Sequence, residues 1–147
     1  MDLLFGTDVR EYGQHLGCLA GFELDPLTHR VRTVLITSDG ELSDGAATRP
    51  FGGVLIEPEF LEIRPYTPAG DRPDHAAIVL GRATRIIRAG HEVGRVSGID
   101  VALGTGDLEG VIGRKSWWTR RFHLQHPELD ISTPGEVRVA TGQSRAA

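Results

Sequence analysis

Residues 12–25 read YGQHLGCLAGFELD, and residues 89–102 read AGHEVGRVSGIDVA. Both stretches carry glycine at every fourth position: Gly13, Gly17 and Gly21, then Gly90, Gly94 and Gly98. On a helix this spacing would make a seam of small residues for close packing. Three glycines in nine residues would cost an exposed helix about 3 kcal/mol relative to alanine. The flanks are also too polar for lipid. The residues that follow alternate instead. Phe22 and Leu24, like Ile99 and Val101, are separated by an acid, the two-residue period of a half-buried strand. Gly13 and Gly90 then fall at tight turns, where positive φ is cheap. Gly17 and Gly94 mark bulges or close backbone approach on a sharply curved strand. Curving strands marked by glycine are what a small barrel needs.

The pattern is part of a longer repeat. A shift of 77 positions carries Thr7 onto Thr84, Val9 onto Ile86, Leu16 onto Val93 and Leu19 onto Val96. It also carries Phe22 onto Ile99, Leu24 onto Val101, Thr28 onto Thr105, Val31 onto Leu108, Val34 onto Val111 and Leu35 onto Ile112. Later in each half a shift of 76 carries Pro58, Leu61 and Ile63 onto Pro134, Val137 and Val139. Apolar character persists where identity is lost, as duplicated cores require. The expected architecture is all-β: two small barrel units in pseudo-two-fold relation, with strand exchange between them an open possibility because each copy alone buries little core.

Residues 1–64 form the first expected repeat, 65–75 a Pro-rich polar linker, 76–141 the second repeat and 142–147 a flexible tail. Residues 30–37 (RVRTVLIT), 54–56, 60–63, 108–112 and 136–140 read as strands, and 76–80 as the first strand of the second half. Asp25-Pro26-Leu27-Thr28-His29 reads as a turn.

Composition narrows the class. The 147 residues are 39% apolar and 24% charged, with 19 glycines. No window offers the roughly 18 apolar residues of a membrane span. The N-terminal stretch has no basic region followed by an apolar run, so no signal peptide is expected. Cys18 is the single cysteine, so no intrachain disulfide is possible and a cytoplasmic setting is expected. The net charge of −4 divides unevenly. Residues 1–74 hold 6 Arg against 13 Asp/Glu, and residues 75–147 hold 10 Lys/Arg against 7 Asp/Glu. Halves of opposite sign can attract within a chain or between chains, although two surfaces that simply diverged would look the same.

The first half resembles the PRC-barrel family. The resemblance rests on Gly13-x-x-Leu16-Gly17-x-Leu19, then Phe22-x-Leu24-Asp25-Pro26, the Thr28 turn, Val31, and Arg49-Pro50-Phe51. The second half repeats Gly90-x-x-Val93-Gly94-x-Val96 and Ile99-x-Val101 but lacks the Asp-Pro pair. The resemblance implies a small β-barrel that serves as an assembly or docking module, as in the H subunit of photosynthetic reaction centres and in a ribosome-maturation factor. It implies no catalytic residue and no cofactor.

The most unusual segment is residues 113–126, GRKSWWTRRFHLQH. Trp117 and Trp118 stand side by side among Arg114, Lys115, Arg120 and Arg121. In a strand they would point to opposite faces, one plugging the barrel and one facing out. An outward Trp flanked by arginines suits a protein-interface hot spot, and equally base stacking with phosphate contacts. The competing reading is core packing beside a solvated basic edge. His123 and His126 are weak metal candidates, since Pro127 breaks any helix that would align them and no third ligand is marked. Gly104-Thr105-Gly106 with Gly110 lacks the spacing and the Lys-Ser/Thr of a phosphate loop and reads as a hairpin turn. Cys18 near His15 is not marked as a nucleophile, and Glu57, Glu59 and Glu62 read as a solvated strand face. The expected function is therefore a non-enzymatic interaction module, with a protein partner or self-association, including a homodimer. RNA or ribosome binding is the alternative, and a small-molecule or metal-dependent enzyme the third.

Overall fold

The computed structural model describes residues 1–43, 45–65, 76–116 and 118–140. The expected linker (apart from Pro65) and the tail lie outside the described residues. The first half forms β1 (Asp2–Leu4), β2 (Asp8–Glu11), β3 (Gln14–Leu24), β4 (Val31–Thr37), β5 (Ala47–Pro50), β6 (Val54–Ile56) and β7 (Phe60–Ile63). The second forms β8 (Ile78–Gly81), β9 (Arg85–Arg88), β10 (His91–Val101), β11 (Leu108–Arg114), β12 (Phe122–Gln125), β13 (Leu129–Asp130) and β14 (Glu136–Val139). The fold is all-β, and among the described residues no helix is long and apolar enough to cross a membrane.

The strands make two sheets with the same plan. One runs β5-β4-β3-β2-β7-β6 and the other β12-β11-β10-β9-β14-β13. In each, the two strands at opposite ends of the path are consecutive in sequence. A three-residue 3-10 turn joins them: Phe51–Gly53 between β5 and β6, and His126–Glu128 between β12 and β13. Three residues reach about 10 Å at most, so the edges of each sheet are drawn together and the sheet curls into a barrel-like unit.

The seventh strand of each sheet comes from the other half. β1 pairs with β10, setting Leu3 opposite Ile99 and Leu4 opposite Gly98. β8 pairs with β3, setting Leu80 opposite Phe22 and Gly81 opposite Gly21. The two registers coincide under the 77-residue shift, so the halves exchange their first strands reciprocally.

The glycine pattern is the means of this exchange. Tyr12 and Gly13 have φ of 54° and 75°, and Ala89 and Gly90 have 52° and 79°, the left-handed pair of a tight hairpin. Register shifts leave Leu16 and Ala20 of β3 without an opposite residue, and likewise Val93 and Ser97 of β10. The bulged residue is thus the one before each glycine rather than Gly17 or Gly94 itself. The glycine stands where pairing resumes and backbones come closest: a Cβ on Gly17 would lie 2.7 Å from the Thr37 carbonyl oxygen. Beyond the second bulge the long strand changes its neighbour. β3 leaves β2 after Cys18 and takes up β8 from Gly21. A Cβ on Gly21 would lie 2.6 Å from the Leu80 carbonyl oxygen, and one on Gly98 would overlap that of Leu3.

One apolar cluster runs through both units. Val9, Leu19, Phe22, Leu24, Val34 and Leu61 meet Ile86, Val96, Ile99, Val101, Val111 and Val137 within it, all buried. Leu3 and Leu80 carry the exchanged strands into it, and the Phe5 and Phe22 rings pack with centroids 5.7 Å apart. Burial of side chains this size is worth about 1.5–3 kcal/mol each relative to exposure, which anchors the two exchanged strands.

Candidate interaction site

β11 and β12 form a hairpin whose tip holds the aromatic and basic residues. Gly113 pairs with Phe122, and the ladder stops there. Trp118 lies in the turn beyond it, not in a strand. Trp117 lies outside the described residues, and with it the expected division of the two rings between core and solvent.

The turn forms because Thr119 and Ser116 satisfy each other. The Thr119 hydroxyl accepts from the Ser116 N–H at 2.9 Å and donates to the Ser116 carbonyl at 2.8 Å. The Thr119 N–H donates to that same carbonyl at 3.1 Å. Hydroxyl groups offer backbone such local alternatives to a ladder. Arg114 is partly buried and donates from Nε to the Thr119 carbonyl at 3.0 Å, so it clamps the tip rather than presenting its charge. Lys115, Arg120 and Arg121 are exposed, and Trp118 is 70% exposed. Five of the six residues expected to bind a partner are therefore described, and they share one hairpin end: four form an outward surface set and Arg114 holds it in shape.

The two histidines behave differently from each other. His123 lies exposed on β12. His126 crosses to the other half, its Nε2 being 2.8 Å from Nδ1 of His29, with the rings edge to face at 5.1 Å. Burial, and then the neighbouring His126, hold the His29 imidazole below its ordinary pKa, against the opposing pull of Asp25 and Asp130. Among the described residues no three His, Cys, Asp or Glu side chains converge as metal ligands. Sequence reasoning missed His29, whose equivalent is Gly106. Both residues have positive φ at the same place in their turns, 58° and 78°.

The remaining candidates fall into structural positions. The Cys18 thiol lies 3.8 Å from the Ser38 carbonyl, and the His15 ring bonds Asp8. Asp8 is held below the usual carboxylate range by His15 and then Arg10. Glu57 and Glu59 are exposed, whereas Glu62 accepts the Gly13 N–H at 3.1 Å. Gly104 and Gly106 shape the turn that leads into β11, closed by Gly106 N–H to the Ala102 carbonyl at 3.0 Å.

No protein-family model matches the chain, and no curated protein matches it.

Proposed function

We propose that this chain is a tandem PRC-barrel-like adaptor that docks a protein partner through the β11–β12 hairpin tip. The observation that carries this reading is Trp118, 70% exposed on a turn already fixed by Ser116, Thr119 and Arg114. A large aromatic held in place before binding loses little entropy on docking. Such residues, with arginine, carry a disproportionate share of interface energy. In this reading the strand exchange, which two single barrels would make between chains, is made within one chain. It fixes two barrels as one rigid platform in the cytoplasm.

The test compares the wild-type chain with a Trp118→Ala, Arg120→Ala, Arg121→Ala variant as bait in host lysate, with and without nuclease. Exposed substitutions of this kind change stability by about 0.5 kcal/mol or less each, so the variant is expected to keep its fold. A protein captured by the wild type in both arms and lost by the variant supports the adaptor reading. Equal capture by the folded variant sinks it. Capture that disappears with nuclease and weakens steeply with salt transfers the hairpin to RNA binding.

A further inference from the structure

The two barrels share a backbone plan but have diverged at one outer corner. In the first, the parallel pair β2–β7 sets Arg10 opposite Glu62. In the second, the pair β9–β14 sets Ile87 opposite Arg138 at the equivalent register. The adjoining hairpins have matching left-handed turns, Tyr12-Gly13 and Ala89-Gly90, so they present their backbone N–H groups alike.

The first barrel fills this corner with its own side chains. Glu62 Oε1 accepts the Gly13 N–H at 3.1 Å, and the Arg10 guanidinium sits 4.1 Å from the Phe60 ring centroid. Tyr12 projects from the turn. In the second barrel Ala89 stands for Tyr12, and Arg138 reverses the charge of Glu62. The Gly90 N–H has no hydrogen-bond acceptor among the described residues. What remains is a depression of about 430 Å³, lined by Arg85, Ile87, Ala89, Glu136, Arg138 and Val139 together with Gly90. Its size falls in the range of small-ligand sites, about 300–1,000 Å³.

The charge in the depression is unbalanced. Glu136 is held between two cations, with Arg85 Nη2 at 2.5 Å from one oxygen and Arg138 Nε at 3.1 Å from the other. One carboxylate thus serves two guanidinium groups, each with five N–H donors. Several donors are left over, and Asp130, paired opposite Arg138 on β13, offsets part of the remaining positive charge. Beside them lie Ile87 and Ala89, while Val139, whose side chain is buried in the core, borders the depression from below.

We propose that this depression binds a small carboxylate bearing a short apolar tail. The ligand carboxylate takes the place that Glu62 fills in the first barrel. It accepts the Gly90 N–H and a bond from Arg138, and its tail covers Ile87 and Ala89. Charge-assisted bonds from arginine to carboxylate are among the strong ones, and the apolar floor favours a tailed acid over acetate. This site stands apart from the partner-docking reading, because none of its residues belongs to the β11–β12 tip.

Amide-resolved NMR titration of the full chain tests this, with hexanoate as probe and hexanamide as the neutral control. Hexanoate is expected to move the Gly90 amide saturably while hexanamide leaves it in place. Arg138→Ala removes the donor proposed to meet the ligand carboxylate. Arg138→Glu restores the internal carboxylate. Each is expected to weaken hexanoate binding by about tenfold or more, whereas Tyr12→Ala leaves it unchanged. A Gly90 amide that stays still in millimolar hexanoate, an equal response to hexanamide, or undiminished binding by both second-barrel variants overturns the proposal.

Discussion

Leu3 and Leu80 stand 77 residues apart and occupy each other's half: Leu3 pairs opposite Ile99 and Leu80 opposite Phe22. Both side chains are buried, at 3% and 1% exposure. Truncating a buried leucine costs about 2–5 kcal/mol. Leu3→Ala and Leu80→Ala are therefore expected to destabilise the chain by similar amounts in that range, measured by urea denaturation. A frayed N-terminal strand would instead make Leu3→Ala nearly silent, and that result would refute the reciprocal exchange.

Gly21 and Gly98 are expected to be the least replaceable glycines of the repeat. An added Cβ at Gly21 meets the Leu80 carbonyl oxygen at 2.6 Å, which is backbone and cannot swing aside. Overpacking of this kind costs about 1–3 kcal/mol or more. Gly45 has open space around an added Cβ and no positive φ. Gly21→Ala should therefore lower the thermal midpoint markedly while Gly45→Ala leaves it near wild type. Equal midpoints for the two variants would remove the close-approach explanation of the glycine pattern.

The alternation after each glycine run revealed the strands because one face of each must be buried, and Phe22, Leu24, Ile99 and Val101 are all in the core. The 77-residue shift followed the same burial: the positions it aligns fall on corresponding strands of the two sheets. It left the exchange undecided. β1 and β8 are equivalent strands, so sequence similarity is blind to which sheet each one joins. His29 was invisible because its partner His126 lies 97 residues away and its equivalent has no side chain. The turn at Trp118 was not legible because the Ser116–Thr119 bonds that make it are a matter of geometry, not of residue type.

Arg30 and Asp107 also stand 77 residues apart, joined at 2.8 Å across the two halves. Asp107 is held below the usual carboxylate range chiefly by its bond from Arg30. Both side chains are about half exposed, 59% and 48%, and exposed ion pairs contribute little because solvent screens them and ordering two side chains costs entropy. The backbone bond from Val31 N–H to the Gly106 carbonyl, 2.9 Å, joins the same two turns without them. Asp107→Asn is expected to leave the denaturation midpoint unchanged within error, in low salt and in high. A clear loss in low salt would give this pair a larger role in joining the halves.

The His29–His126 contact gives the junction between the halves a pH dependence. At 2.8 Å between Nδ1 and Nε2, one ring must be neutral to accept the other's proton. The charged groups that act on His29 are His126, which opposes protonation, and Asp25 and Asp130, which favour it. Burial and His126 prevail, so the folded-state pKa of His29 lies below the ordinary value of about 6.5. Between that ordinary value and the lowered one, the unfolded chain binds more protons than the folded chain. Stability then rises with pH through this window. The contribution is complete above about pH 6.5 and is lost as pH falls toward the folded-state value of His29. The carboxylates held low, Asp25 and Asp130 among them, act in the same direction only at more acid pH. Urea denaturation between pH 7.5 and 5 is expected to show a falling midpoint in the wild type and a flatter profile in His29→Gln. Identical slopes for the two proteins would mean that another group sets the acid sensitivity of the junction.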